Sequence, residues 1–348
     1  MKKKFSKSDL DTIVTNISKN KLIYGAVFYV SSDDGSIDYI SASGNMHENR
    51  HYYIASINKL IISALILRLY SEKKLGLHDK IARYLSTENL DGLHTYKDTD
   101  YSRDIEIIHL LSHTSGLPDY LEDKQPNGRI AMKDLEAGID QSWPISKVLV
   151  EVKKMQPHFP PGQKGKARYI DTNHHLLGLI IEQITGIPME RALENMFHEL
   201  DLTDTYVFTG EQNQDFAPIY YKSEIRDISL FVASTKYDIV STARNQMMFL
   251  KAFFNGHFFP KHRLEELERW NRIFFPFKYG IGIQKFEIPR IFTLLKTFPK
   301  MIGHGGSTGS VAFYVPERNL YITGTVNQQA APRLAYQAMM KIINDVVK

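Results

Sequence analysis

Segments with the composition of β-strands lie near both ends of this 348-residue chain, and helical patterns fill its middle. Residues 24–30 and 36–42 are rich in β-branched and aromatic side chains, and the Asp-Gly step between them is typical of a hairpin. Further strand-like segments lie at residues 279–286, 310–315 and 320–326. The simplest assembly is a single antiparallel sheet that is built from both ends of the chain.

Helical periodicity marks most of the chain between the two groups of strands, and an amphipathic helix is predicted over residues 331–347. We therefore predict an α/β fold of the α+β type, in which an antiparallel sheet is flanked by terminal helices. Residues 1–80 and 231–348 are expected to form this sheet lobe, and residues 81–230 a second, mostly helical lobe. A cleft between the sheet lobe and the helical lobe is the expected place for an active site.

The composition is that of a soluble globular protein, with 43% apolar and 24% charged residues. A net charge of +4 gives no strong field for nucleic acid, so the expected partner is a small molecule. The apolar run at residues 60–69 contains Arg68 and is too short to span a membrane. Residues 5–11 are polar where a signal peptide has its apolar core. We expect a cytoplasmic protein, or an exported one if a signal was removed before the numbering begins.

The chain contains no cysteine, which excludes disulfides, Cys-based zinc sites and a thiol nucleophile. His109 and His113 have the spacing of metal ligands on one helical face, but Leu110 stands where the metalloprotease pattern requires Glu. We therefore interpret both as structural histidines and expect no metal and no organic cofactor. The sequence carries no signal for an oligomeric state.

Three Ser-x-x-Lys pairs occur, and their surroundings differ. Two of them, at Ser18 and Ser71, lie near polar helix ends, where a solvated lysine stays protonated. Ser56 instead follows an apolar segment and opens an apolar helix, with Lys59 one turn further along the same face. There the helix dipole favours an alkoxide, and a buried Lys59 with a lowered pKa would accept the serine proton. The alternative is that Ser56 only caps the helix and Lys59 lies on the surface.

Tyr169 lies on a loop just ahead of the apolar helix that is predicted to begin at residue 172. From there its phenol would project into a cleft, where the neighbouring cations Arg168 and Lys166 would lower its pKa for general acid/base catalysis. The alternative is a tyrosine that only packs against its neighbours, which is the norm in a chain with 19 tyrosines.

Residues 303–309, Gly-His-Gly-Gly-Ser-Thr-Gly, lead into a predicted strand. Glycines allow backbone N–H groups to approach a ligand closely. The segment lacks the lysine of a P-loop. It matches the Gly-x-Ser-x-Gly nucleophile elbow, but a strand follows it in place of a helix, and no histidine occurs after His304 to complete a triad. An ordinary glycine turn remains the alternative.

Three motifs in this order resemble those of the serine β-lactamase and penicillin-binding-protein superfamily. The most similar branch contains class C β-lactamases, D-alanyl-D-alanine carboxypeptidases and esterases. The motifs are Ser56-Ile57-Asn58-Lys59, Tyr169-Ile170-Asp171 and His304-Gly305-Gly306. Residues 110–117, 171–186 and 240–244 are similar to this branch as well, so the resemblance extends over roughly residues 54–327.

The resemblance implies a role for each motif. Ser56 would be acylated, while Lys59 and Tyr169 would share the proton transfers. The backbone N–H groups of Ser56 and Ser307 would form the oxyanion hole that stabilises a tetrahedral intermediate. The substrate-binding residues would be Asp171, His304, Gly305, Gly306 and Asn327.

Two residues differ from the β-lactamase pattern, which has Asn in place of Asp171 and Lys in place of His304. Asp171 removes an amide donor and brings a negative charge to the cleft, unless it caps the helix at Thr172. His304 is mostly neutral at pH 7 and replaces a cation that would hold a substrate carboxylate. We therefore predict a serine hydrolase that acts on a neutral or cationic ester, amide or small peptide.

Two other functions remain compatible with the sequence. One is a penicillin-binding D,D-carboxypeptidase or weak class C-type β-lactamase. The other is a catalytically silent member of the fold that serves in binding or as a scaffold. A silent member would have Lys59 and Tyr169 out of hydrogen-bond reach of Ser56.

Overall fold

An eight-stranded antiparallel sheet forms the centre of the computed structural model, which describes residues 5–210, 216–288 and 298–347. In spatial order its strands are β10 (Asn271–Phe274), β11 (Phe277–Tyr279), β12 (Gln284–Phe286), β13 (Met301–Gly305), β14 (Ser310–Val315), β15 (Leu320–Thr325), β1 (Gly25–Ser32) and β2 (Asp38–Gly44). The N-terminal hairpin β1–β2 joins the C-terminal strands through β15, with Val27 opposite Thr325. The predicted sheet built from both ends of the chain is confirmed.

Among the described residues, shorter strands form three small sheets. They are the three-stranded β3 (Tyr52–Tyr53), β9 (Ile239–Ser241) and β6 (Tyr206–Val207), and the hairpins β4 (Thr95–Tyr96) with β5 (Thr99–Asp100) and β7 (Ile219–Tyr221) with β8 (Glu224–Arg226). In the three-stranded sheet Tyr53 lies directly opposite Val240, so that this sheet joins distant parts of the chain.

Helices account for most of the remaining regular structure. They are α1 (Lys7–Ile17), α2 (Asn58–Ser71), α3 (Thr87–Leu90), α4 (Ile107–Leu111), α5 (Ala131–Glu136), α6 (Ile145–Val152), α7 (Thr172–Thr185), α8 (Met189–Glu199), α9 (Ser229–Ser234), α10 (Ala243–Phe254), α11 (Leu264–Leu267) and α12 (Arg333–Val347). Across the residues that the structure describes, each helix is too short or too polar to cross a lipid bilayer.

Both faces of the large sheet are covered, as the apolar strands predict. The terminal helices α1 and α12 pack together on one face, where Leu10 and Ile342 share an apolar cluster with Phe28 of β1. Helix α10 covers the opposite face, which includes Val27. Because successive residues of a strand point to opposite faces, Val27 and Phe28 enter different clusters, and all eight residues of β1 are buried.

The strands nearest the glycine segment differ from the prediction. A turn divides the predicted strand at residues 279–286 into β11 and β12, and β10 and β13 lie where no strand was predicted. Strand β13 contains two glycines, which are depleted in strands. At Gly303 the missing side chain is required, because a Cβ would lie 2.0 Å from the carbonyl oxygen of Ala312 on β14. Only residues 306–309 connect β13 to β14.

Helix α7 is the centre of the predicted helical lobe and packs on α2, α4 and α8. One buried apolar cluster continues from Val27 in the large sheet to Leu176 on α7. The sheet lobe and the helical lobe therefore share a core, and the division at residues 81 and 231 stays a prediction.

Candidate active site

Ser56 lies in a 3-10 turn, Ala55–Ile57, that leads directly into α2. Ala55 has a φ of 49°, a left-handed conformation that is strained in a residue with a Cβ and that clusters at functional sites. The helix caps here are Ile54 and Ile57, so Ser56 is not the helix cap of the alternative interpretation. Its Oγ instead accepts a hydrogen bond from Nζ of Lys59, at 3.1 Å.

Lys59 lies one turn further along α2, with a side chain that is only 4% exposed. The alternative of a surface lysine is therefore wrong. Its Nζ forms an ion pair with Oδ1 of Asp171 at 2.6 Å and lies 5.5 Å from the ring centre of Tyr169. A buried charge needs such a partner, so the ion pair with Asp171 accounts for a lysine inside an apolar helix.

The ion pair also determines the protonation state of Lys59. Burial lowers the pKa of Lys59, as the sequence suggested, but Asp171 and, after it, Asp238 raise the pKa, and the net shift is upward. The predicted lowering of the pKa was therefore wrong, because the sequence pattern does not reveal the counter-ion. At neutral pH Lys59 is protonated and donates its hydrogen bond to Ser56.

Tyr169 reaches the same hydroxyl from the segment that precedes α7. Its phenol lies near enough to the side chain of Ser56 to interact with it. Burial and the charge of Asp171 raise the pKa of Tyr169 well above its ordinary value, while the interaction with Ser56 acts in the opposite direction. The predicted lowering of this pKa was wrong. Arg168, one of the cations expected to cause it, is ion-paired with Asp123.

The turn at residues 306–309 and the residue after it are hydrogen-bonded to the segment just before Ser56. Oγ1 of Thr308 donates to the carbonyl oxygen of Tyr53 at 3.1 Å, and Oγ of Ser310 donates to that of Ile54 at 2.7 Å. A Cβ at Gly306 would lie 2.5 Å from the Ile54 carbonyl oxygen, so the two backbones approach as closely as glycine allows. These contacts bring Ser307 to the same cavity as Ser56.

This cavity has a volume of about 490 Å³. Seven of the predicted site residues line it: Ser56, Lys59, Tyr169, Asp171, Gly305, Gly306 and Ser307. Much of the remaining wall is aromatic or aliphatic, from Tyr120, Leu121, Met132, Leu135, Ile228, Phe231, Tyr237, Ile273, Phe274, Phe277 and Tyr336. The predicted nucleophile, its proton-transfer partners and both predicted oxyanion residues therefore share one largely apolar cavity.

Two predicted substrate-binding residues do not line the cavity. The side chain of His304 is fully buried, with one ring nitrogen 2.9 Å from the Gly305 carbonyl oxygen and the other 3.1 Å from the Tyr279 hydroxyl. Burial lowers the pKa of His304 to about 3, so the ring is neutral. Asn327 is also buried, and its Nδ2 donates to the carbonyl oxygen of Pro218 at 2.6 Å. In this geometry neither side chain reaches a substrate.

A second buried carboxyl group, that of Asp119, binds the backbone of Asp171. Asp171 occupies the cap position of α7 but its side chain makes no capping bond, so the alternative of a capping role is wrong. Its backbone N–H donates to Oδ2 of Asp119 at 3.0 Å. Burial, and then the charge of Asp171, raise the pKa of Asp119 well above its ordinary value. Asp119 was not predicted, although an acidic residue inside the otherwise apolar segment at residues 117–121 was a usable signal.

A third carboxyl group, that of Asp238, lines the cavity together with Asp171 and was not predicted from the sequence. It accepts hydrogen bonds from Nδ2 of Asn58 at 2.7 Å and from Oγ1 of Thr235 at 2.9 Å. Burial raises the pKa of Asp238 to about 6. It is therefore mostly ionised at pH 7 and adds a second negative charge near Lys59. No sequence signal identifies it, because it reaches the site through the pairing of β9 with β3.

The two histidines with metal-ligand spacing accept hydrogen bonds from backbone N–H groups. Nδ1 of His109 accepts from the N–H of Glu106, and Nδ1 of His113 accepts from the N–H of Ile170, each at 3.0 Å. Within residues 5–210, 216–288 and 298–347, no group of three or more His, Asp or Glu side chains is arranged to hold a metal ion.

Comparison with known proteins gives a consistent result. The family model named Beta-lactamase matches residues 10–341. The "Putative penicillin-binding protein PbpX" of Bacillus subtilis (strain 168) is 24% identical over 225 residues, which are 62% of this chain and 49% of that protein. The "Putative D-alanyl-D-alanine carboxypeptidase" of Escherichia coli (strain K12) is 27% identical over 215 residues, or 59% of this chain and 44% of that protein. The chain thus spans about half the length of these curated relatives.

One solved structure is similar to this chain over nearly the whole length of both proteins. The D-stereospecific amidohydrolase from Streptomyces sp. superposes with a TM-score of 0.76, covering 96% of this chain and 98% of that one, at 22% identity. At this identity the likeness shows the fold alone. Since the family model matches almost all of the sequence and the three motifs meet in one cavity, the chain belongs to the β-lactamase family.

Proposed function

We propose that the chain is a serine hydrolase that cleaves an ester or amide bond through an acyl-enzyme at Ser56. The main support is that two proton-transfer groups interact with one hydroxyl. Oγ of Ser56 accepts a hydrogen bond from Nζ of Lys59 at 3.1 Å and interacts with the phenol of Tyr169, which lines the same cavity. Activated nucleophiles have this kind of contact, whereas a silent scaffold has no need of it.

In the proposed reaction Oγ of Ser56 attacks the carbonyl carbon of the substrate. The serine proton passes to Nζ of Lys59 in its unprotonated form, and the phenol of Tyr169 delivers a proton to the departing alcohol or amine. Water then attacks the acyl group and gives a proton to the Tyr169 phenolate, and Lys59 returns its proton to Oγ of Ser56 as the acyl–oxygen bond breaks. Because Lys59 is protonated at rest, the reactive fraction rises with pH.

The oxyanion hole is proposed to consist of the backbone N–H groups of Ser56 and Ser307. Both residues line the cavity, and the bonds from Thr308 and Ser310 hold the glycine turn against the segment before Ser56. Fixed donors of this kind stabilise the charge that develops in the tetrahedral intermediate. Gly305 and Gly306 would let the substrate backbone lie close to β13.

The charges around the cavity favour a neutral or cationic substrate. Lys59 is paired with Asp171, and Arg168 with Asp123, so neither cation is available to a substrate carboxylate. Glu122 lines the wall and forms no ion pair with any residue in the part of the chain that the structure describes. A substrate carboxylate would therefore meet unbalanced negative charge, whereas an ammonium group would be attracted.

A matched pair of substrates tests this charge preference. Phenylalanine p-nitroanilide has a free ammonium group, and its N-succinyl derivative has a carboxylate at the same end. We expect kcat/KM for the cationic compound to exceed that for the anionic one by about tenfold or more, since one unpaired charge at close range is worth at least 1.4 kcal/mol, or about a factor of ten. A neutral p-nitrophenyl ester serves as the common reference. Preference for the succinyl compound would contradict the proposed substrate class.

A D,D-carboxypeptidase is the second candidate, because one curated relative is named "Putative D-alanyl-D-alanine carboxypeptidase" and another "Putative penicillin-binding protein PbpX". This function requires acylation by penicillins and cleavage of peptides that end in D-alanyl-D-alanine. Stoichiometric labelling by a fluorescent penicillin would support it. Absence of labelling by a protein that turns over esters would exclude it.

The Asp171→Asn variant tests the effect of the ion pair on catalysis. Without the carboxylate, burial dominates and the pKa of Lys59 falls, so the unprotonated base forms at lower pH. We expect the rising limb of the pH profile of kcat/KM to move at least about one pH unit downward, with Asp238 limiting the shift. Asp91→Asn, which removes an exposed partner of Arg103, is the matched control and should leave the profile unchanged. An unmoved limb in Asp171→Asn would show that Lys59 is not the titrating base.

A further inference from the structure

His113 contacts three consecutive residues around the proposed proton-transfer group Tyr169. Its carbonyl oxygen accepts from the N–H of Arg168 at 3.0 Å. Its ring stacks on the ring of Tyr169, with centres 4.6 Å apart and planes at 26°. Its Nδ1 accepts from the N–H of Ile170 at 3.0 Å. Arg168, Tyr169 and Ile170 are thus all held by the backbone or the side chain of His113.

The conformation of His113 is itself tightly specified. Its φ is 57°, in the left-handed region that few residues with a Cβ adopt. The ring is fully buried, with Tyr279 edge-on at 4.2 Å and His174 at 5.5 Å. Since Nδ1 accepts the bond from Ile170, the neutral ring carries its proton on Nε2. Such strain persists only where the surroundings over-determine it, and it is typical of residues that fix a site.

We propose that His113 is the positioning residue of the site, and that it holds the phenol of Tyr169 against Oγ of Ser56. The inference rests on the proposed function, in which Tyr169 transfers protons. His113 does not line the cavity, so in this proposal it acts on catalysis through Tyr169. Without the stack and the bond to Ile170, the segment before α7 gains freedom and the phenol is no longer fixed at the hydroxyl.

Two substitutions separate the contributions of His113. His113→Leu removes both the ring and the acceptor, whereas His113→Asn keeps an acceptor near the Nδ1 position and tolerates a positive φ. We expect kcat to fall about 10²-fold in the leucine variant, since displacement of a reacting group by about 1 Å has this effect. The asparagine variant should restore kcat to within about tenfold of the parent, because one hydrogen bond is retained. KM should stay nearly constant in both, because ground-state binding is unaffected.

His94→Asn is the matched control for loss of a buried histidine. His94 is fully buried like His113, but its ring contacts Tyr101 and the carbonyl oxygen of Phe159. We expect it to lower the melting temperature as His113→Asn does while leaving kcat at the parent value. A fall in kcat equal to that of the His113 variants would show that burial of any histidine matters, and would overturn the proposal.

The Tyr169→Phe background decides whether His113 acts through the phenol. There, His113→Leu is expected to cause no further loss of kcat, because residues that act as a unit are not additive. A loss of the same size in both backgrounds overturns the positioning role. A parent-like kcat in Tyr169→Phe itself would instead overturn the proposed function of Tyr169. If the leucine variant does not fold, His113→Asn in both backgrounds provides the same comparison.

Discussion

Replacing Ser56 by alanine is expected to reduce p-nitrophenyl ester hydrolysis to the nonenzymatic rate, a fall on the order of 10⁴-fold or more. In the proposed mechanism the acyl-enzyme forms on this hydroxyl, and an alanine side chain has no nucleophilic atom to replace it. The substitution removes one oxygen atom and the hydrogen bond from Lys59, so the fold should persist. Initial rates together with a thermal unfolding curve measure both effects.

Ser71→Ala is the matched control for this prediction. Ser71 ends α2 and begins another Ser-x-x-Lys pair, but its partner Lys74 is 57% exposed and lies 2.7 Å from Glu72. Ester turnover should be unchanged in this variant, because a solvated lysine does not activate a hydroxyl. Substantial turnover by Ser56→Ala would refute the nucleophile assignment, whatever the control shows.

Replacing Lys59 by methionine is expected to lower kcat about 10³-fold and also to destabilise the protein. The loss of rate follows from removal of the base, whose contribution is about 10²–10⁴-fold. The loss of stability follows from Asp171, which keeps a largely buried carboxylate without its partner, a change that costs about 3–5 kcal/mol. Steady-state kinetics and denaturant unfolding give the two quantities.

The double variant Lys59→Met with Asp171→Asn separates the two effects. Replacing the carboxylate by an amide removes the unpaired charge, so most of the stability should return. The rate should stay low, because no base is restored. Recovery of kcat together with stability would mean that Lys59 only supports the fold, and the proposed proton transfer would have to be abandoned.

The central part of the site is predictable because its chemistry is local in sequence. Ser56 and Lys59 lie one helical turn apart, so their contact follows from helix geometry once the helix is recognised. Tyr169 and the glycine segment are distant, and only the ordered similarity of three motifs to one superfamily connects them to Ser56. The antiparallel sheet was predictable for a similar reason, since strand-like composition at both ends of the chain leaves few other arrangements.

The features that were mispredicted depend on register and on charge partners. His304 alternates with Gly303 and Gly305 along β13, and the register of that strand turns the imidazole towards Tyr279 and away from the cavity. Asp238 comes near Lys59 because β9, which follows Asp238, pairs with β3, where Tyr53 lies opposite Val240. The pKa of Lys59 depends on Asp171 and Asp238, which are its neighbours in space, and a pattern of residue types does not specify them.

Covalent labelling of the parent chain tests the acyl-enzyme most directly. The protein is treated with a fluorophosphonate probe, digested with trypsin and analysed by fragment mass spectrometry. Cleavage after Arg50 and Lys59 yields the peptide of residues 51–59, in which Ser56 is the one serine. We predict about one equivalent of probe on this peptide, with the added mass assigned to Ser56 and absent from Ser56→Ala. Labelling of a different peptide, or no labelling of a protein that turns over esters, would contradict the assignment of Ser56 as nucleophile.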